Sequence, residues 1–208
     1  SPGKPMPEPR LAGEILAGLA RGALAERFGL PVAWIEIPDG WDRPAATFVT
    51  LTLAGVLRGC IGSLEPRRPL VADVRANALA AAFEDHRFPP VESEELARLA
   101  VEVSLLSPLT ALPPLAEAEA CRELRPGVDG VLLTWRGHRG TFLPQVWSQL
   151  PRPEEFLRQL KRKAGLAPEF WAPEVRLFRY EVEKSREAPD RPALLPRPAK
   201  DRTDALPT

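Results

Sequence analysis

Leu57-Arg58-Gly59-Cys60-Ile61-Gly62 follows the run Thr47-Phe48-Val49-Thr50-Leu51-Thr52-Leu53 and the turn residues Ala54-Gly55. Two runs rich in β-branched residues on either side of a short glycine-containing turn predict a β-hairpin, with arms 47–53 and 56–61. The second arm is odd for a core strand, because its cysteine sits between two glycines and two residues after an arginine. Glycine beside a working side chain marks backbone that bends or is closely approached. If the arm stays extended, alternation places Arg58 and Cys60 on one face. A fixed guanidinium near a thiol favours the thiolate, the form that attacks or ligates. The other reading is structural. Free cysteine is among the most buried residue types, and Cys60 then fills a gap in the core while Arg58 pairs with a carboxylate.

Around this hairpin the periodicity predicts helices over 11–28, 69–83, 116–124 and 153–164, and a short capped helix over 93–99. Strands are predicted over 101–106 and 175–183, and a second hairpin from 130–135 and 139–143 around Arg136-Gly137-His138. Hairpins mixed with helices, without regular strand-helix alternation, indicate an α+β fold: a mainly antiparallel sheet with flanking helices. The domain is expected over 8–184. From Ser185 the chain has repeated prolines and charges with little apolar content, so 185–208 is expected to be a mobile tail.

Composition narrows the function classes. The 208 residues include 28 basic and 28 acidic ones, so the molecule as a whole exerts no general pull on nucleic acid or anionic lipid, and a polyanion site has to be local. No apolar run is long enough to span a membrane, and Ser1–Arg10 is a polar, proline-rich start rather than a leader, so a cytoplasmic protein is expected. Cys60 and Cys121 cannot build a disulfide framework, and the two histidines, His86 and His138, lack metal-ligand spacing. With no glycine-rich phosphate loop either, no cofactor and no zinc site is expected, and a hard cation held by carboxylates is the one metal alternative left open.

Several separated motifs occur together in order: Phe48-Val49-Thr50-Leu51, Leu57 to Gly62, Ala82-Phe83-Glu84-Asp85-His86-Arg87-Phe88-Pro89-Pro90, Thr141-Phe142-Leu143-Pro144-Gln145-Val146, Phe156-Leu157 and Lys163-Ala164-Gly165. This series resembles the AMMECR domain family across most of 11–183. The resemblance implies an α+β fold in two unequal subdomains, with the Arg-Gly-Cys segment facing a cleft between them. It also implies an association with Memo-like and radical-SAM proteins, and hence a shared modification pathway. The residues it brings forward are Arg58, Gly59, Cys60, Ile61, Gly62, Asp85, Arg87, Phe88, Thr141 and Gln145. Two positions depart from the family pattern. A Gly-x-His-Gly sequence is replaced by Gly127-Val128-Asp129-Gly130, and His86 stands where a small residue or proline is more usual.

Two function classes follow. In one, Arg58 orients a small anionic or nucleotide-like ligand, Cys60 contacts or attacks it, and Gly59, Ile61, Gly62, Asp85, Arg87, Phe88, Thr141 and Gln145 line its site. In the other, the protein is a non-catalytic adaptor that receives a protein partner at the same place. A Cys60–His86 or Cys60–His138 dyad is the sharpest enzymatic form of the first class. Asp85 and Arg87 are either an ion pair holding a loop or, with Arg87 beside Arg58, an anion-receiving surface. Arg158, Lys161, Arg162 and Lys163 crowd one helix end, as a solvated terminus or as a patch for RNA.

Overall fold

The computed structural model describes residues 8–198. In chain order it begins with helix α1 (Pro9–Arg27), strand β1 (Ala33–Ile35), the hairpin β2 (Pro44–Leu53) and β3 (Val56–Gly62), the short β4 (Arg68–Pro69), helix α2 (Leu70–Phe83) and strand β5 (Leu99–Leu106). It continues with β6 (Thr110–Ala111), α3 (Glu117–Glu123), the hairpin β7 (Gly130–Trp135) and β8 (His138–Phe142), α4 (Pro153–Lys163), β9 (Arg176–Tyr180), β10 (Val182–Arg186) and β11 (Leu194–Pro196). This is an α+β fold with mainly antiparallel pairing. Among the described residues no helix is long and apolar enough to cross a membrane.

The chain divides into two compact units, one holding residues up to Leu105 together with those from Lys184 onward, the other holding Leu106–Glu183. In the first, a sheet of order β10-β5-β2-β3 packs against α2, which in turn packs on α1. Its core is aliphatic, with Val49, Leu51, Val74, Ala78, Leu99 and Val103 fully or almost fully buried. One polar cluster crosses that core. Thr47 donates through its main-chain N–H and its hydroxyl to Asp73, Asn77 donates to Thr47 and Asp73, and Arg68 caps the group from outside. Every buried donor there finds an acceptor, so the cluster fixes the register of β2 on α2. In the second unit a sheet of order β6-β9-β7-β8 encloses a core in which Trp147 stacks on Phe156 at 3.7 Å, together with Leu133, Leu157 and Leu160.

Three expectations are corrected. The helix expected over 93–99 shrinks to a 3-10 turn at Ser93–Glu95, because Leu99 is already pairing as the start of β5. The single strand expected over 175–183 is two strands: at Glu181 the main chain turns to Ser107, whose N–H donates to the Glu181 carbonyl and whose hydroxyl accepts from the Glu181 N–H. The mobile tail expected from Ser185 is ordered as far as residue 198, and 199–208 lie outside the described residues. Ser185 is buried in β10, and β11 pairs in parallel with β1 and packs on α1. Glycine in α1 permits this, since a Cβ at Gly22 would lie 1.8 Å from the Leu194 carbonyl oxygen. Deeper in, Arg21 on α1 pairs with Glu187 and donates to the Leu96 and Leu99 carbonyls, which ties the returning chain to the core. Low apolar content did not reveal these polar anchors.

β3 lies equally close to α2. A Cβ at Gly59 would sit 2.1 Å from the main-chain oxygen of Ala81. Neither backbone can give way without moving its whole element, so Gly59→Ala should lower stability by about 1–3 kcal/mol. A reduced urea midpoint at unchanged slope is the expected result, and an unchanged midpoint would show that strand and helix are not in contact there.

Candidate functional site

The register of the hairpin decides where the thiol points. A regular hairpin closing at Leu53–Val56 would set Cys60 opposite Val49, whose side chain is fully buried toward α2. The observed pairing slips by one between Leu51 and Thr52: Leu57 faces Thr52, Gly59 faces Leu51, Cys60 faces Thr50, and Arg58 is the extra residue of a β-bulge. The bulge therefore moves Cys60 out of the core and onto the face turned away from α2. There it is half-buried, with Sγ 3.3 Å from the Thr50 hydroxyl.

The bulge also breaks the alternation that would have kept Arg58 beside Cys60. Arg58 instead reaches across to Glu95, its Nε and Nη2 donating to the two carboxylate oxygens at 2.9 and 3.0 Å. It donates further to the main-chain oxygens of Pro89 and Pro90 at 2.8 and 3.2 Å. Pro89 and Pro90 have carbonyls but no N–H, so a guanidinium is a fitting partner for this stretch. Arg58 is thus a clamp on the loop after α2. Burial tends to neutralise the Glu95 carboxyl, but the hydrogen bonds from Arg58 prevail and hold it below the ordinary glutamate range.

The clamped loop delivers the groups that meet Cys60. β3 is an edge strand, and the Cys60 N–H, which has no strand to pair with on that side, donates to Asp85 Oδ2 at 2.9 Å. Asp85 also accepts from the Arg87 main-chain N–H, from its Nε at 2.9 Å and from its Nη2 at 2.7 Å, while Nη2 reaches the Cys60 carbonyl at 3.5 Å. Asp85 is buried, yet the hydrogen bonds from Arg87, supported by the Cys60 N–H, outweigh burial and hold its carboxyl far below the ordinary range. Arg87 is raised in turn, chiefly by Asp85 and in smaller part by Cys60. Its side chain remains 58% exposed and lies over the Phe88 ring at 5.4 Å. The cation against the Cys60 main chain is therefore Arg87, while Arg58 is committed to the loop.

The remaining candidates take other places. Gly59 is filled by the approach of α2, and a Cβ at Gly62 would strike Thr47 and Phe48, so both glycines serve packing; Ile61 is partly buried against the core. His86 is exposed and is not hydrogen-bonded to Cys60, and His138 in the second unit is bonded through Nδ1 to the Ala164 carbonyl, so neither makes a dyad. Thr141 donates to the Val131 carbonyl at 2.9 Å and contacts the Tyr180 hydroxyl, whose pKa burial pushes up to about 12. Gln145 is exposed on a 3-10 turn over Pro144–Ser148. Both belong to the second unit. Asp129, where the family pattern has histidine, is fully buried and bound by the Arg125 main chain and guanidinium, while its own carbonyl accepts from Trp147 Nε1 at 2.7 Å. Lys161, expected at a solvated helix end, is buried and paired with Glu117. Among the described residues no three of His, Cys, Asp and Glu come together as a metal site. The sequence reading missed Glu95 as the partner of Arg58 and Thr50 as the neighbour of Cys60. A count back from the turn would have found Thr50 only if the bulge were known.

The site is thus a thiol turned by a bulge to the sheet face away from α2, with an Asp-Arg loop closed over its strand edge. A family model described as AMMECR1 matches residues 17–185, and the chain belongs to that family. A protein of Methanothermobacter thermautotrophicus is 41% identical over 150 residues, covering 71% of this chain and 78% of its own. One of Thermococcus kodakarensis is 39% identical over 189 residues, covering 82% and 88%. The crystal structure of an uncharacterised protein from Pyrococcus horikoshii superposes with a TM-score of 0.69 at 35% identity, covering 83% of this chain and 89% of that one.

The depressed Asp85 fixes a pH dependence. Because the folded pKa lies below the unfolded one, the contribution of Asp85 is complete above about pH 5 and is lost progressively as the pH falls below that value. Asp85→Asn should be less stable than wild type at pH 7, with the difference narrowing between about pH 5 and pH 2. Urea unfolding across that range measures it, and a constant difference would show that Asp85 does not carry the dependence.

Proposed function

We propose that this protein binds a small anionic ligand at the edge of the first sheet, with Arg87 receiving a carboxylate or phosphate and Cys60 contacting the ligand through its thiol. The observation that supports this is the exposed Arg87 guanidinium, braced by Asp85 on both its Nε and Nη2, held against the main chain of a half-buried cysteine. A guanidinium fixed by one carboxylate keeps its charge and an outer edge for a second. In this reading Arg58 is a positioning residue that holds the loop, and a nucleotide-like ligand fits the same chemistry. The ligand belongs, on this proposal, to a modification pathway shared with Memo-like and radical-SAM proteins. The adaptor reading draws on a separate observation: Val56 and Leu57, at the tip of the same hairpin, are 69% and 37% exposed, an apolar step that suits a protein partner.

The test uses Cys121→Ser protein, so that Cys60 is the sole thiol, and compares alkylation by anionic iodoacetate and neutral iodoacetamide at pH 7. Cys60 should label in the folded state, with iodoacetate favoured several-fold over its ratio toward glutathione, and Arg87→Ala should abolish the preference. Arg58→Ala should cost about 2 kcal/mol of stability by stranding Glu95 and weaken the preference only through the loop. Labelling that requires unfolding, or a preference that survives Arg87→Ala, would overturn the reading.

A further inference from the structure

The Thr50 hydroxyl that touches Sγ also lines a groove of about 490 Å³ lying wholly within the first unit. Its floor is the sheet face turned away from α2, with Thr50 and Thr52 from β2 and Glu102 from β5, and its wall is the chain leaving β10, with Arg186, Pro189 and Arg191. That wall is fixed: Glu187 pairs with the buried Arg21 and accepts from the Val101 N–H, and Arg191 Nη1 approaches the Ala97 and Leu99 carbonyls at 3.4 Å. Arg21 and Glu187 cancel each other. Of the other charged groups lining the groove, Arg186 and Arg191 face Glu102, which binds Arg186 at 3.3 Å and leaves that side chain 84% exposed. The far end of the groove therefore carries two guanidiniums, that of Arg186 largely exposed, while its near end carries Thr52 and the Thr50 hydroxyl that touches Sγ.

We infer that this groove holds an elongated small molecule with an acidic group, carboxylate or phosphate, at Arg186 and Arg191, whose other end reaches Thr50 and Cys60. The inference rests on the reading of Cys60 and Arg87 as a ligand-contacting corner, and adds the ligand's length and its second anchor. From β3 to β10 is three strand spacings, roughly 14 Å, so the ligand is an extended molecule with its acid group well away from the thiol. The volume suits one metabolite-sized molecule and is too small for a folded protein segment. It also gives a purpose to the ordered stretch 185–191, which supplies the groove's wall and its cations.

Two measurements test it. In Cys60→Ser/Cys121→Ser protein, the thiol introduced by Thr52→Cys should favour iodoacetate over iodoacetamide by at least about threefold relative to glutathione at low salt, and the preference should fall to the glutathione value with Arg186→Ala/Arg191→Ala and shrink at high salt. In Cys121→Ser protein, ADP or dodecanedioate, each long enough to reach from Arg186 to Cys60, should at millimolar concentration slow alkylation of Cys60 by iodoacetamide, and the same two arginine substitutions should remove the protection. Protection by ADP alone assigns a phosphate, and protection by dodecanedioate alone a carboxylate. No preference at the introduced thiol together with no protection by either probe overturns the groove. Arg87→Ala separates the two proposals: if it abolishes the preference at Cys60 and leaves that at the introduced thiol, both sites stand. If the introduced thiol shows the preference and Cys60 never labels in the folded state, the groove binds anions while the thiol corner fails.

Discussion

An edge strand exposes a row of main-chain donors and acceptors with no partner strand, and β3 meets this constraint with side chains from one loop. Asp85 takes the Cys60 N–H, Arg87 approaches the Cys60 carbonyl, and Arg58 reaches from the strand into the same loop to hold Pro89, Pro90 and Glu95. Closing the edge this way occupies main-chain groups that would otherwise be open to pairing with another strand. It also concentrates two fixed ion pairs within a few residues of a thiol. Edge protection and site construction are the same set of contacts, so a substitution that loosens one loosens the other.

The bulge at Arg58 is the second condition. Without it the thiol would point at Val49 and the first helical layer, where it would be a packing residue of the kind cysteine often is. With it, a one-residue slip turns Cys60 to the face that carries Thr50, Thr52 and Glu102, and frees Arg58 to leave the ladder. Gly59 is the cost of the arrangement, since α2 passes too close for a side chain there. The glycines around Cys60 thus make room for the protein's own backbone, which leaves the ligand to be held by side chains.

These points mark where the sequence was legible. Helices α1, α2 and α4 and both hairpins follow from apolar period and turn residues, because those signals are local. The family motifs located Cys60, Asp85 and Arg87. The face on which Cys60 stands was not legible, because a bulge without a left-handed glycine leaves no mark in composition. The partner of Arg58 lies 37 positions away in a stretch readable only as a helix start. The order of 185–198 escaped for the opposite reason: its anchors are the buried Arg21–Glu187 pair and a helix glycine, polar and small features that an apolar count scores as loose chain.

The same anchors bear on how the site is assembled. Glu187 fixes its segment by accepting from Val101 on β5 and pairing with Arg21 on α1, so the groove's wall is fastened to two elements that are far apart in sequence. A buried pair of this kind contributes little net stability over an apolar alternative but is costly to break, which makes it a registering device more than a source of strength. Losing either partner would leave a charge in the core and release the wall that carries Arg186 and Arg191. The chain from the end of β10 onward is therefore fastened by this pair as well as by the pairing of β11 with β1, and Arg186 and Arg191 are carried on it.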